Sequence, residues 1–462
     1  MTATKVNQEI FKAYDIRGLY GEQMDGDTAY AIGRAFARVL AGLRDKPAGE
    51  LKVGLGRDMR LTAPEMSRRV RDGLVAEGCT VFDAGMVGTE MLYYLVGSRG
   101  LDGGAMVTAS HNPKAYTGIK LVREEALALS GDTGIGAIRD RIVAGLGEPA
   151  ATPGSYTPVD VYDGFRAKAL EFINPEKLVR RLKVVVDGGN GMAGVMAGPI
   201  LERLNVELVT TYWRPDGEFP DHEPNPLLPE NREAIISRVL AEKADLGIAW
   251  DGDADRCFFI DGKGNFVDGD FLTALLAAQV LAREPGARIL YDVRASRAVA
   301  NVVSEQGGTS NINRVGHAFF KQSLREQDAA FGGEVSGHYY FRDFWCADSG
   351  TIPALLILEM LAADGARSLA EYVQAFNERY FISGEINSTV TDPQAKMDEL
   401  VAHFADGELT TLDGISVDYP EWHFNVRPSN TEPLLRLNLE SLVSRADMEM
   451  RRDEILGLIR GN

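Results

Sequence analysis

The sequence predicts an α/β protein built from three related α/β domains and a smaller C-terminal α+β domain. First, short apolar strands alternate with amphipathic helices over most of the chain. Leu51–Leu55 and Lys183–Val186 read as buried strands, while Ala63–Glu77 and Asp270–Arg283 carry helical spacing. Second, a weak repeat recurs. The runs Lys52–Asp58 (KVGLGRD), Lys183–Asp187 (KVVVD) and Arg288–Asp292 (RILYD) are apolar strands ending in Asp. Each is followed, some dozens of residues later, by a second strand ending in an unusual loop. Those loops are Thr108–Pro113 (TASHNP), Asp251–Arg256 (DGDADR) and Gly333–His338 (GEVSGH). Third, the C-terminal segment breaks the pattern. Strand-like Phe381–Val390 and Leu434–Leu439 there flank helical Pro393–Ala405 and Ser444–Ile459. The expected domains are 1–153, 154–265, 266–377 and 378–462, with Ala150–Pro158 (AATPGSYTP) as a linker.

Composition narrows the function. A chain of 462 residues holds two to four domains. Apolar residues at 45% and charged residues at 25% are ordinary globular values, which excludes disorder and a disulfide scaffold. The formal charge of −18 argues against a nucleic-acid partner, which would need a basic footprint. It leaves room for an anionic substrate, because binding follows local charge. Cys79, Cys257 and Cys346 lie too far apart for a zinc or CxxC motif and read as buried thiols. Met1–Lys12 has no signal-peptide pattern, and the apolar stretches Phe271–Ala282 and Ile352–Ala363 are too short to span a bilayer. The expectation is a soluble cytoplasmic protein with no membrane partner.

Three loops could carry chemistry. In DGDADR, Asp251, Asp253 and Asp255 alternate directly after an apolar strand. Curled together, they suit one hard cation such as Mg²⁺, which takes oxygen ligands and leaves room for phosphate. An EF-hand is excluded, since Arg256 and Gly262 stand where Gly and Glu are needed. A phosphatase with Asp251 as nucleophile stays open. In TASHNP, Ser110 sits at a strand end, held by the Asn-Pro turn, with His111 beside it. It could be a nucleophile or phosphate carrier, although a turn serine is the commoner fate. In Arg427–Pro433 (RPSNTEP), Arg427 with Ser429, Asn430 and Thr431 could cradle a phosphate. Nearby basic residues, Arg17, Lys120, Arg256 and His317, could supply a positive field. Gly189–Gly194 matches GxGxxG, but the next strand ends in Thr210-Thr211-Tyr212 without the ribose-binding acid. Tight strand–helix packing is therefore preferred to dinucleotide binding.

Lys12–Gly18 (KAYDIRG), Gly56–Arg60 (GRDMR), TASHNP, DGDADR, GEVSGH and RPSNTEP stand in the order of the α-D-phosphohexomutases. The chain resembles that family, in its bacterial phosphomannomutase/phosphoglucomutase branch, over essentially its whole length. The resemblance implies a heart-shaped four-domain protein around a central cleft. It implies a reversible transfer of phosphate between C1 and C6 of mannose or glucose phosphates. The route would run through a phosphoserine and a hexose 1,6-bisphosphate, which also acts as activator. Ser110 would carry the phosphate and join Asp251, Asp253 and Asp255 around Mg²⁺. Glu334 and Ser336 would grip sugar hydroxyls, with Tyr14, Arg294 and His338 also on the substrate. Arg427, Ser429, Asn430 and Thr431 would hold the phosphate not being transferred. Arg17, Lys120, Arg256, His317 and His338, with His111, would manage protons and phosphoryl charge. The rival readings are a metal-dependent sugar phosphatase, an NAD-binding dehydrogenase and a phosphosugar-binding protein without catalysis.

Overall fold

A computed structural model describes residues 6–428 and 434–461. Three of its sheets share one core. In the first, Lys52–Arg57 lies parallel to both Thr80–Met86 and Gly103–Val107, and Gly103–Val107 pairs antiparallel with Tyr116–Arg123. In the second, Leu182–Asp187 lies between Val206–Thr211 and Leu246–Trp250, which pairs with Cys257–Asp261. In the third, Arg288–Asp292 lies between Thr309–Asn313 and Phe331–Gly333, which pairs with Tyr339–Phe341. The sequence repeat is thus a repeat of topology. Each unusual loop connects the last parallel strand to the antiparallel one. All three leave the C-terminal edge of a parallel sheet, where α/β folds leave space for ligands. Gly103–Val107 and Leu246–Trp250 are buried throughout, which is why they read as unbroken apolar runs rather than alternating ones.

The first three domains also share a core. One hydrophobic cluster joins Met91 and Leu95 of the first, Val184 and Val186 of the second, and Phe271 and Leu275 of the third. Helix Thr351–Ala362 runs through it with every residue buried. Its apolar stretch, too short for a membrane, is apolar all round because protein covers it on all sides. Among the described residues no helix is long and apolar enough to cross a membrane. The three cysteines are buried and unpaired, as expected.

The fourth domain has a six-stranded sheet in which Leu434–Ser441 pairs antiparallel with Trp422–Pro428, Phe381–Ile382 and Ile386–Thr389. Helices Pro393–His403 and Arg445–Arg460 belong to the same domain. The single strand expected at Phe381–Val390 is two, interrupted around Gly384, whose φ is +67°. This domain meets the third through polar groups. Arg297 donates to Asp418 Oδ1 (3.0 Å) and to the carbonyls of Tyr419 (2.7 Å) and Pro420 (2.9 Å). Val315 N donates to Asp413 Oδ2 at 2.9 Å. A polar seam of this kind permits relative movement far more readily than a shared core.

The second part of the expected linker Ala150–Pro158 is a strand. Ser155–Pro158 pairs in parallel with Thr80–Asp83 and forms the exposed edge of the first sheet. Turn-type residues fit there because an edge strand tolerates proline. A Cβ on Gly154 would lie 2.0 Å from Cys79 O, so only glycine allows the approach.

Glu90 ties the first domain to the third. It is fully buried and accepts hydrogen bonds from the Ser349 and Thr351 hydroxyls. Burial pushes its carboxyl up to about 8, from 4.5, against those hydrogen bonds. In this window the folded protein keeps a proton that the unfolded chain has lost. Stability therefore falls as pH rises from 4.5 towards 8, by on the order of 5 kcal/mol at most. Glu90→Gln keeps the size and removes the titration. Its thermal stability should fall less than the wild type's between pH 5 and 8. Parallel stability–pH curves for the two proteins would show that Glu90 does not titrate across this range.

Candidate active site

Ser110 stands three residues beyond a buried strand with a φ of +50°, a left-handed conformation uncommon outside glycine. Its surroundings hold it there. Ser110 N donates to Thr108 Oγ1 at 2.8 Å, and Asn112 N to Ala109 O at 3.0 Å. The Arg60 guanidinium donates to the carbonyls of Ser110, Asn112, Pro113 and Tyr116. Arg17 donates to the Asn112 side chain and to Asp15.

The Ser110 hydroxyl meets the acidic loop of the second domain. Its Oγ donates to Asp251 Oδ2 at 2.7 Å and lies 3.2 Å from His111 Nδ1. Arg256 Nη2 is 3.4 Å from the same Oγ, and Arg256 Nε donates to Asp251 Oδ2 at 2.9 Å. Glycine makes the meeting possible. A Cβ on Gly252 would lie 2.5 Å from Ser110 O, and one on Gly191 would lie 2.6 Å from Gly252 O. The GxGxxG segment therefore packs behind the acidic loop, and Gly194 abuts the Trp213 backbone. This matches the packing reading.

Asp251, Asp253 and Asp255 are all buried, and one oxygen from each lies within 4.8 Å of the others. Lys120 Nζ donates to Asp253 Oδ2 at 2.7 Å and also to Asp255, and Thr89 donates to Asp253. Burial opposes ionisation of Asp253, but the Lys120 charge outweighs it and holds that carboxyl well below its usual range. Burial and the Asp253 charge push Asp255 up to about 7. Three carboxylates thus face two cations, Lys120 and Arg256. Asp253 Oδ1 and Asp255 Oδ1 are buried without a hydrogen-bond partner among the described residues. Uncompensated negative charge and orphaned oxygens together fit a hard divalent cation such as Mg²⁺.

The third loop closes on this cluster. His338 Nδ1 lies 2.9 Å from Asp348 Oδ2, and Lys321 Nζ lies 2.7 Å from Asp348 Oδ1. These are ion-pair distances without hydrogen-bond alignment. Burial disfavours the charged form of His338, but Asp348 and Asp255 outweigh it and raise the ring above its usual value. Burial and the Lys321 charge hold His317 well below its own. The two rings lie 6.2 Å apart, and Tyr14 packs 5.6 Å from His317. An imidazole biased towards its charged form beside one biased towards its neutral form suits paired acid and base work. Glu334 accepts from Gly316 N at 2.8 Å and from the Tyr340 hydroxyl, and burial raises its pKa. Ser336 is half-buried on the same loop.

Arg294 reaches the fourth domain. It is bound to Asp292 by Nε (3.0 Å) and Nη2 (2.8 Å), and Nη1 lies 3.4 Å from Glu385. Arg427 and Arg436 approach the same Glu385 at 3.4 and 3.1 Å. The break in the expected Phe381–Val390 strand puts Glu385 among these arginines. Ser429, Asn430 and Thr431 lie outside the described residues.

Asp58, Arg60, Thr89, Lys321 and Asp348 complete the site; the first two stand within the GRDMR motif but were given no role from sequence, and the other three were not singled out. One signal was available for the first two. Asp58-Met59-Arg60 and Asp292-Val293-Arg294 share an Asp-x-Arg pattern at the end of the equivalent strand. In each, the carboxylate holds the arginine two residues on. The others come from remote segments and carry no local signal.

Comparisons with known proteins agree with this architecture. Four family models match in order: phosphoglucomutase/phosphomannomutase alpha/beta/alpha domain I over residues 8–145, domain II over 165–264, domain III over 268–380, and the C-terminal domain over 385–458. A curated protein of Xanthomonas campestris pv. campestris named "Phosphohexose mutases" is 45% identical over 98% of this chain and 99% of its own. A phosphomannomutase of Escherichia coli K12 is 42% identical over 97% and 98%. The crystal structure of a phosphoglucomutase/phosphomannomutase family protein from Burkholderia thailandensis superposes with a TM-score of 0.87 at 37% identity, covering 98% of this chain and 97% of that one. With all four domains matched in order and three related sheets meeting at Ser110 and the acidic loop, this chain belongs to the phosphoglucomutase/phosphomannomutase family of phosphohexose isomerases.

Proposed function

We propose that this chain interconverts hexose 1-phosphates and 6-phosphates through a phosphorylated Ser110. The observation that carries the reading is the 2.7 Å hydrogen bond from Ser110 Oγ to Asp251, inside a buried acidic cluster with two orphaned oxygens. A phosphoryl group on Ser110 would stand between the three aspartates and Arg256. Asp251, Asp253 and Asp255 are the residues that would hold Mg²⁺, which when bound would supply positive charge to the phosphoryl oxygens.

This chain's own residues do the rest. Arg256 and Lys120 add fixed positive charge where phosphoryl transfer needs it most. His111, held neutral by burial and by Arg256, can accept a proton beside Ser110. His338 and His317, pushed apart in pKa, serve the sugar hydroxyl as acid and base. Glu334 offers a carboxylate to sugar hydroxyls, and Arg427 with the adjoining 429–431 segment takes the phosphate that stays. Tyr14 and Arg294 join the substrate contacts, and Arg17 adds a further positive charge. The rival Asp251 nucleophile fits poorly, because both of its oxygens already accept hydrogen bonds from Ser110 and Arg256.

Each end of the sugar must visit both places, so a hexose 1,6-bisphosphate forms and turns within the cleft. The same bisphosphate reloads a dephosphorylated serine, which makes it the activator. With Glu334 and Ser336 assigned to the O3 and O4 side, no side chain in this proposal is assigned to C2. Since strong discrimination needs a buried polar group left unpaired by the wrong sugar, glucose and mannose phosphates should both serve.

Phosphorus NMR of the purified protein with Mg²⁺, hexose 1-phosphate and a catalytic amount of hexose 1,6-bisphosphate tests the reading. It should show 6-phosphate, not free phosphate. Intact mass should show a phosphate on Ser110. Ser110→Ala should lose at least about a thousandfold in kcat, and wild-type turnover in that variant ends the proposal. Asp253→Asn should weaken Mn²⁺ binding, read by electron paramagnetic resonance, and lower kcat by about a hundredfold or more. Unaltered metal affinity would remove Asp253 from the ligand set. The kcat/KM values for glucose 1-phosphate and mannose 1-phosphate should agree within about tenfold. A preference on the order of a thousandfold would reveal a residue that contacts C2.

A further inference from the structure

Arg60 is 2% exposed, and its guanidinium is spent on one short turn. Nη2 donates to the carbonyls of Ser110 (2.8 Å) and Asn112 (2.5 Å). Nη1 donates to those of Pro113 (3.0 Å) and Tyr116 (3.3 Å). Asp58, fully buried, orients it: Arg60 N donates to Asp58 Oδ1 at 2.9 Å, and Arg60 Nε lies 3.4 Å from Asp58 Oδ2. The Phe219 ring, 5.1 Å from the guanidinium carbon, covers it from the second domain. A planar fork can hold four carbonyls at once, which an ammonium on a flexible stem cannot.

The clamp acts on the nucleophile's backbone. Ser110 sits at a φ of +50°, which its surroundings must impose. Its carbonyl is pinned between Arg60 and the close approach of Gly252, so its Oγ faces Asp251 and Arg256. Arg294 shows the same device in the third domain. There Asp292 holds the arginine two residues on and also accepts from Val335 N at 2.9 Å, in the sugar-side loop.

We propose that Arg60, oriented by Asp58, is the positioning residue of the Ser110 turn and governs whether the serine's phosphoryl group passes to a sugar hydroxyl or to water. This rests on Ser110 as phosphoryl carrier. In productive transfer the bond from phosphorus to Ser110 Oγ breaks as a bond to the sugar oxygen forms. The sugar hydroxyl proton goes to the neighbouring base, and Ser110 Oγ takes a proton. In the leak, a water oxygen takes the sugar's place, gives up its proton to solvent, and inorganic phosphate leaves. Both channels need the P–Oγ bond to break, but only transfer to sugar needs the phosphoryl group held in line with a bound hydroxyl. A misplacement of about 1 Å costs roughly a hundredfold in such a reaction, whereas water approaches from any open side.

The test uses the full-length protein with Mg²⁺, labelled on Ser110 by ³²P-hexose 1,6-bisphosphate and chased with glucose 1-phosphate. The readout is the ratio of label in hexose phosphates, bisphosphate and monophosphate together, to label in inorganic phosphate. A loss of folded protein lowers both channels alike and leaves the ratio untouched, so the ratio separates positioning from stability. Arg60→Lys should lower it at least about tenfold, and lower kcat by about a hundredfold with KM within about threefold. Asp58→Asn, of the same size, should move the ratio in the same direction by less. A labelled Arg60→Lys protein with the wild-type ratio overturns the proposal. Should Arg60→Lys fail to fold, the Asp58→Asn ratio decides by the same criterion. A wild-type protein that takes no label overturns the Ser110 reading itself, and a labelled wild type with unchanged variants overturns the Arg60 proposal alone.

Discussion

The hydrogen bond from Ser110 Oγ to Asp251 joins loops from two domains inside a cluster of buried charge. Three aspartates on one hairpin turn repel one another in a place water does not reach. Lys120 from the first domain and Arg256 from the turn itself offset most of that repulsion. The remainder is what suits the site to a cation, because among the described residues two carboxylate oxygens stay buried and unpartnered. Much of the surrounding structure follows from keeping these charges close. Glycines at 191 and 252 let backbones approach within side-chain distance, and Thr89 anchors Asp253 from the helix above it.

Charge of this kind needs a rigid floor. The first three domains supply it by sharing one apolar cluster, with helix Thr351–Ala362 buried through the middle. The residues at the start of that helix brace all three domains. Asp348 faces His338, Ser349 and Thr351 hold Glu90, and Gly350 O accepts from Trp250 Nε1 at 2.9 Å. The fourth domain is attached differently, through Arg297, Asp413 and the arginines around Glu385. A site with three fixed walls and one polar, separable wall can admit a sugar phosphate and then exclude water.

The same strand-end aspartate recurs in each of the three related domains with a different task. Asp58 holds Arg60 under the serine turn, and Asp292 holds Arg294 beside the fourth domain. Asp187 accepts from Gly189 N at 2.8 Å and lies 3.2 Å from His222. One topology thus places three carboxylates at equivalent positions, and the residue two places on decides what each one orients.

The sequence alone determined the fold class, the threefold repeat and the position of each chemical loop. These are local properties. Buried parallel strands must be apolar throughout, and Ser110 and the aspartate triad each announce themselves within a few consecutive residues. It also told packing glycines from a dinucleotide site, because the missing acid at Thr210–Tyr212 is local as well. Only the tertiary structure decided which groups share a charge. Lys120 lies 133 residues from Asp253, and Asp348 and Lys321 reach His338 from separate segments. Nothing in their neighbours predicts that. The edge strand at Ser155–Pro158 was misread as a linker because its residues obey turn preferences, and pairing with Thr80–Asp83 overrode them. Arg60 was legible only as part of the GRDMR motif, and its task was not: a buried cation's role is defined by the carbonyls and carboxylates folded around it, and those arrive only when distant strands pack.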